Sequence, residues 1–409
     1  MKVLLFGPRL CRNLGGPSLL NSTIDVLKDK FEKIEFHYIS PTSEDLEERD
    51  KFDFQIDYLE SSYGRKLLPA ALLKRLFHIS LGPEDVKNVM DLMEDVDVLI
   101  DFRGIEFADT LNANSFQNRV LRRSHWITAK LFKLKVIKYT SDYGPFTETW
   151  NRIFAKWYLN RFVDLIFVRG ETSQKLLSEL GVKTPRYVFP DTAFLLKMES
   201  SDFSKKLLEY GKKQPVIGLS VSFMASRHSG DRYQYIKTMA RFSDYMIEKY
   251  GARVVLIPNE FSEKISKDDL RIAQEIHYII NEQTNSELVD KDFPAKKMKG
   301  IIGELDILVA ARYHSIIAGL SQGVPVLALG WHHKYHDVMK LVKQQDHVCS
   351  VFDYSVENLI EAFDRLWNQR LSSKEQITSR LPIIFDEVRR SGEILHEFLF
   401  GGVSSEEFF

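Results

Sequence analysis

Cysteine is nearly absent: the 409 residues contain two, Cys11 and Cys349. Two are too few for a disulfide framework or a cysteine-based zinc site, and they fit a reducing compartment. Surplus charge is also lacking. Lys plus Arg total 56 and Asp plus Glu 57, a formal net charge of −1. A dedicated nucleic-acid binder carries a strong basic excess, so no nucleic-acid partner is expected. Long apolar runs are missing too. The opening Met1-Lys2-Val3-Leu4-Leu5-Phe6 stops at Gly7-Pro8, short of a secretory h-region. The longest stretch without Asp, Glu, Lys or Arg, which includes Tyr313 to Trp331, contains Gln322, Gly323 and Pro325. It reads as helix, turn and strand rather than a membrane span. A soluble cytoplasmic protein, with at most peripheral membrane contact, is the expectation.

What is present is an ordinary globular composition, 44% apolar and 28% charged, enough to bury a large core. Short apolar runs alternate with amphipathic helical patterns, the signature of βαβ units and parallel sheets. In the first half, strands are predicted at Lys2–Phe6, Lys33–Ser40, Val96–Phe102, Val136–Thr140, Leu165–Val168 and Arg186–Val188. Helices are predicted at Ser18–Phe31, Leu111–Leu134, Trp150–Phe162 and Ser173–Leu180. The charged region Glu44 to Val89, with a helical stretch Lys66–Phe77, reads as an insertion. A second series has strands at Val216–Ser220, Arg253–Ile257, Tyr278–Ile280, Ile307–Val309 and Val324–Leu329. Its helices are Tyr233–Tyr250, Lys267–Ile276, Pro294–Gly303 and Ser315–Ser321. The polar stretch Glu199–Gln214 reads as a linker. The tail reads as two helices, Val356–Leu371 and Ser373–Leu399, the second interrupted by Pro382. The expectation is an α/β chain of two Rossmann-like domains facing a cleft, residues 1–200 and 213–372, with a C-terminal helix and tail at 373–409.

Open parallel sheets bind ligands beyond the carboxyl ends of their strands, so the loops there carry the chemistry. The most informative is Ala310-Ala311-Arg312-Tyr313-His314-Ser315, where a strand runs straight into a helix. A helix N-terminus attracts anions, and an arginine fork grips carboxylate or phosphate. His314 is placed to move a proton beside such an anion. The competing reading makes His314 a packing residue and Arg312 half of a salt bridge between domains. The next strand empties into Trp331-His332-His333-Lys334-Tyr335-His336. Adjacent histidines without a spaced carboxylate make a poor metal site, so no metal is expected. Lys334 is read as an anion contact or as a solvated loop lysine. After the first strand, Arg12-Asn13-Leu14-Gly15-Gly16-Pro17-Ser18 brings backbone close to a ligand or forms a capped tight turn; it is not a Walker loop. Arg169 sits at another strand end and binds an anion or pairs with Glu171 or Asp191. The basic run Leu121-Arg122-Arg123 through Lys130, Lys133, Lys135 and Lys138 reads as a solvated face rather than a membrane contact.

Taken in order, these segments resemble the polysaccharide pyruvyl transferase family. The resemblance rests on Asn13-Leu14-Gly15-Gly16, Tyr139 to Phe146, Val168-Arg169-Gly170-Glu171-Thr172-Ser173 and Pro190-Asp191-Thr192-Ala193-Phe194. Its strongest part is Ala311-Arg312-Tyr313-His314, followed by Gly323-Val324-Pro325-Val326 and Lys334. The segment Asp101-Phe102-Arg103-Gly104-Ile105-Glu106-Phe107 lacks the double glycine common in that family, and Gly16 stands where an acidic residue is frequent.

The resemblance implies a GT-B-like fold and transfer of pyruvate from phosphoenolpyruvate to a sugar of a glycan or lipid-linked oligosaccharide, as a ketal. By matching position, Arg169 and Arg312 would hold the donor's phosphate and carboxylate and His314 would be the general acid. Tyr313, Lys334, Asn13, Gly15 and Gly16 would line the substrate site. No cofactor is required, phosphoenolpyruvate being the donor itself. A homo-oligomer and a place at the inner membrane face are compatible with this reading. Two alternatives stay open: a nucleotide-sugar glycosyltransferase or epimerase of the same architecture, and a non-catalytic glycan-binding relative.

Overall fold

The computed structural model describes residues 1–46, 55–58, 64–109, 123–261, 268–350 and 355–401. The chain divides into two compact units. The first contains Met1–Cys11, Thr23–Asp191 and the end of the last helix from Arg389. The second contains Arg12–Ser22 and Thr192–Val388.

In chain order, the elements begin with β1 (Lys2–Phe6), α1 (Gly15–Lys28), β2 (Glu35–Ser40), β3 (Gln55–Tyr58), α2 (Gly64–Phe77), α3 (Glu84–Asp95) and β4 (Val98–Asp101). There follow β5 (Ile105–Glu106), α4 (Ser124–Leu131), β6 (Lys135–Tyr143), α5 (Thr149–Phe162), β7 (Leu165–Val168), α6 (Glu171–Leu180) and β8 (Arg186–Val188). The strands of the first unit form one parallel sheet in the order β3-β2-β1-β4-β6-β7-β8, with β5 beside β6. Its runs, such as Val3-Leu4-Leu5-Phe6, are buried on both faces, which is why they read as continuous apolar segments. One core cluster joins α2 through α6 to the sheet through Leu67, Met90, Trp126, Phe154 and Leu177. The region expected to be an insertion instead supplies the edge strand β3 and the helix α2. The predicted helix Leu111–Leu134 is described as α4 at its end; residues 110–122 lie outside the described residues.

After a 3-10 turn at Thr192–Leu195, the second unit runs α7 (Asp202–Gly211), β9 (Val216–Ser220), α8 (Phe223–His228), α9 (Arg232–Tyr250), β10 (Arg253–Leu256) and α10 (Asp269–Ile279). It continues with β11 (Ser286–Leu288), α11 (Ala295–Gly303), β12 (Ile307–Ala310), α12 (Tyr313–Leu320), β13 (Val326–Gly330), α13 (His333–Leu341), β14 (Val348–Ser350) and α14 (Val356–Phe400). The sheet is parallel, in the order β11-β10-β9-β12-β13-β14. Numbered within the unit, that is the Rossmann order 3-2-1-4-5-6.

Three further expectations differ. The stretch read as a linker folds into α7, started by a capping box in which Ser201 and Ser204 bond reciprocally. Tyr278–Ile280 is no strand: Ile272, Ala273, Ile276 and Ile280 are buried at helical spacing, Tyr278 is exposed, and the strand comes at Ser286–Leu288. The tail is a single 45-residue helix that runs through Pro382. Pro382 and Thr378 are both exposed, so the carbonyl deprived of its N–H faces water, while Ile377, Leu381, Ile384 and Val388 are buried on both sides of the proline.

Candidate active site

In the second unit the chain leaves β9 toward β10 on one side, while β12 lies on the other. The crevice at the carboxyl ends of β9 and β12 is therefore the topological switch point, where such sheets bind ligands. Arg312 and His314 stand there. Arg312 is the extended residue that precedes α12, and His314 lies in the helix's first turn.

Arg312 is held from below by carboxylates. Its Nε donates to Asp269 Oδ2 at 2.7 Å, and its Nη2 donates to Asp269 Oδ1 at 2.6 Å and Glu260 Oε2 at 3.0 Å. Burial works against the charge, but Asp269 and Glu260 win and raise the Arg312 pKa further. Asp269, fully buried, also accepts the backbone N–H groups of Phe223, Asn259 and Glu260. The salt bridge expected as the alternative for Arg312 thus exists, but inside one unit. Nη1 has no hydrogen-bond partner among the described residues, and 21% of the side chain remains exposed. Beneath the helix start, a closed ring of hydrogen bonds links three strand ends. Asn259 Nδ2 donates to Ser220 Oγ (2.6 Å), Ser220 Oγ to Ser315 Oγ (3.0 Å), and Ser315 Oγ to Asn259 Oδ1 (2.6 Å).

The Asn13 turn joins this unit. Asn13 pairs in antiparallel fashion with Glu260, and Leu14 N–H donates to the Asn259 carbonyl at 3.1 Å. Asn13 Oδ1 accepts the N–H groups of Gly15 (2.6 Å) and Gly16 (3.3 Å), so the capped-turn reading holds and those two donors are already engaged. Gly15 does something else: a Cβ there would lie 2.4 Å from His314 Nδ1. The absence of a side chain at 15 is what admits the imidazole.

Lys334 is not a solvated loop residue. It is 8% exposed, and its Nζ lies 4.8 Å from the ring centre of Tyr313, 5.5 Å from Trp331 and 5.4 Å from Tyr335. Aromatic faces hold an ammonium electrostatically. Tyr313, itself buried, stands edge-on to the His314 ring at 5.4 Å. His332 acts as a cap, its Nδ1 accepting the Lys334 N–H at 3.4 Å, while the His228 ring stacks on Trp331. Asn13, Gly15, Gly16, Arg312, Tyr313, His314 and Lys334 therefore belong to one constellation in one unit.

Arg169 belongs to the first unit. It is 3% exposed; its Nη1 donates to Asp191 at 2.8 Å, its Nη2 donates to the Gly104 carbonyl at 2.9 Å, and the guanidinium forms an ion pair with Asp142 at 2.5 Å. The pairing with Asp191 weighed from the sequence is present, and Asp142 is a second carboxylate partner. The basic run reads as expected at Lys133 and Lys135, which are exposed, and differs at its two ends: Lys138 is fully buried and donates to Asp101 at 2.9 Å and Glu106 at 3.3 Å, and the buried Arg123 pairs with Glu106 at 2.6 Å. These groups gather at the first unit's own switch point, the ends of β1 and β4. Asp101 there also contacts His125 and Trp126, each at 2.8 Å. Burial pushes Asp101 up, yet Arg103 and Lys138 hold it well below the usual carboxylate range. Burial and the Arg103 charge push His125 down to about 4.

Sequence reasoning missed Asp269, Glu260 and Asn259. Their signal was slight: acidic residues beside a strand end and at a helix start, common to many helices.

Comparison with known proteins gives the family and the fold. The family model described as polysaccharide pyruvyl transferase matches residues 13–333, from the Asn13 turn to the start of α13. The amylovoran biosynthesis protein AmsJ of Erwinia amylovora is 24% identical over 408 residues, 92% of this chain and 96% of AmsJ. Among solved structures, S. aureus MnaA, crystallised with UDP, superposes with a TM-score of 0.64 at 12% identity, covering 97% of this chain and 96% of its own. Anabaena HepE in complex with UDP-glucose gives 0.61 at 14% identity, over 98% and 100%. The fold is that of the two-domain GT-B enzymes. With the family model spanning most of the chain, from the turn that faces His314 to His333 at the start of α13, this protein belongs to the polysaccharide pyruvyl transferase family and is a transferase.

Proposed function

We propose that the enzyme moves pyruvate from phosphoenolpyruvate onto a sugar of an exopolysaccharide precursor, as a ketal, with His314 as the proton donor. The observation that carries this reading is the seating of His314 against Gly15 beside Arg312, within the stretch the family model matches. His314 protonates the methylene carbon of the donor, which becomes a methyl group. The neighbouring carbon turns electrophilic and takes a sugar hydroxyl. Phosphate leaves, and a second hydroxyl closes the ketal. Of the two hydroxyl protons, one replaces the proton given by His314 and the other departs with phosphate.

The open Nη1 edge of Arg312 and the N-terminus of α12 bind the donor carboxylate or phosphate. Lys334 adds positive potential behind Tyr313. Asn13 holds the Gly15-Gly16 turn so that substrate approaches bare backbone. The acceptor is a glycan precursor, lipid-linked in this proposal, met at the cytoplasmic face of the membrane. None of the described helices is long and apolar enough to cross that membrane.

The test is His314→Ala. Loss of a general acid lowers turnover by about 10²–10⁴-fold and leaves ground-state binding nearly intact. Donor affinity is read by calorimetry and product by mass spectrometry. Near wild-type turnover in the variant removes His314 from the mechanism. Thermal stabilisation of the wild type by sugar nucleotides, with none by phosphoenolpyruvate, overturns the donor.

A further inference from the structure

We propose that the outer face of α5 docks on an anionic lipid surface. Trp150, Ile153 and Trp157 recur at i, i+3 and i+7, which places them on one side of the helix. They are 80%, 55% and 52% exposed, whereas Phe154, Ala155, Tyr158 and Leu159 on the opposite side are buried. Two indoles and an isoleucine in one exposed stripe form more than the scattered apolar residues of an ordinary surface. The indole ring suits the headgroup region of a bilayer, where its apolar body and its N–H are both satisfied.

Charge selects the lipid. Arg152, Lys156 and Arg161 are exposed on the same helix, which contains no acidic residue. None of the three forms an ion pair among the described residues. Apolar anchors flanked by cations that no carboxylate neutralises are the pattern of a helix that lies in the plane of an anionic interface. Leu76 and Phe77, 66% and 64% exposed at the end of α2, extend apolar surface along the same helical layer, because α2 packs on α4 and α4 on α5.

A second copy of this chain fits less well. A two-fold interface sets a patch against itself, so Arg152, Lys156 and Arg161 would meet their own copies, and like charges across an interface are costly. The inference does not rest on the pyruvyl chemistry, and its test uses no turnover.

The intact chain is sedimented with vesicles of phosphatidylcholine alone and with vesicles carrying about 30% phosphatidylglycerol. The expected result is binding to the anionic vesicles, weak binding to neutral ones, and release at about 0.5 M salt, where exposed charges are screened. The W150S/W157S variant lowers vesicle affinity by about tenfold or more, and R152E/K156E removes the preference for anionic lipid. All four positions are exposed, so the thermal midpoint stays near that of the wild type. Equal binding to both vesicles, no binding to either, or unchanged affinity in W150S/W157S overturns the proposal. An oligomer that W150S/W157S disperses, in a chain that ignores vesicles, overturns it in favour of a second copy.

Discussion

Replacing Gly15 by alanine is the sharpest probe of the site, because it adds one methyl group and aims it at one atom. The new Cβ would stand 2.4 Å from His314 Nδ1, 2.8 Å from Cε1 and 3.2 Å from Asn13 Oδ1. Ordinary contact begins at 3.4 Å, so the imidazole must retreat by 3.4 − 2.4 = 1.0 Å. A displacement of about 1 Å in a reacting group costs about 10²-fold in rate, or ~2.7 kcal/mol of barrier. Gly15 opens α1 in ordinary helical backbone, so alanine is not strained there. The lower entropy of the unfolded chain offsets part of the crowding, and the thermal midpoint changes by only a few degrees. The expected signature is a hundredfold loss of turnover with donor affinity nearly unchanged. Gly211→Ala is the control, since its Cβ would meet nothing nearer than 3.9 Å. Steady-state product formation by mass spectrometry, with donor binding by calorimetry, measures both. A folded Gly15→Ala protein with wild-type turnover refutes the argument that His314 must occupy this place.

Two stability measurements complete the set. Arg169→Met leaves Asp142 and Asp191 buried without their shared cation, so urea unfolding should show a loss of about 3–5 kcal/mol; a change below 1 kcal/mol would remove Arg169 as the lock of that corner. Lys299, 3% exposed, donates to the Phe194 carbonyl at 3.2 Å, and burial pushes its pKa down to about 7. The unfolded chain therefore binds the extra proton between about pH 7 and 10.5, so stability rises with pH across that window. Lys299→Met should raise the thermal midpoint at neutral pH and flatten that slope; a lower midpoint with the slope intact would contradict the account.

The alternation of strands and helices was legible because parallel strands buried on both faces leave unbroken apolar runs, as at Leu165–Val168 and Val216–Ser220. The strand Ser286–Leu288 was not, because it is short and polar at its first two positions. Pro382 misled for a physical reason: its cost depends on whether the orphaned carbonyl meets water, and sequence does not state which side of a helix is wet. At the site, Arg312 and His314 stood out as rare residue types at a strand-to-helix junction. Their supports did not, since Asp269 and Glu260 matter only through a fold that brings the end of β10 beside the end of β12. Lys138 and Arg123 looked like solvent-facing charges because their carboxylate partners are distant in sequence, Lys138 lying 37 residues from Asp101.

The C-terminal end of α14 belongs to the first unit. Ser391 hydrogen-bonds the buried Tyr139 hydroxyl at 2.5 Å, Lys30 reaches Glu393 at 2.6 Å, and the Phe31 ring packs between His396 and Phe400. Gly392 lies so near Val26 that a Cβ would approach its side chain to 2.8 Å. A ribosome makes the first sheet before the second unit and this covering segment after it. Throughout synthesis of the second unit, the surface around Phe31 and Tyr139 waits for a partner still to be translated, so the unit whose sheet is made first is the later one to be finished.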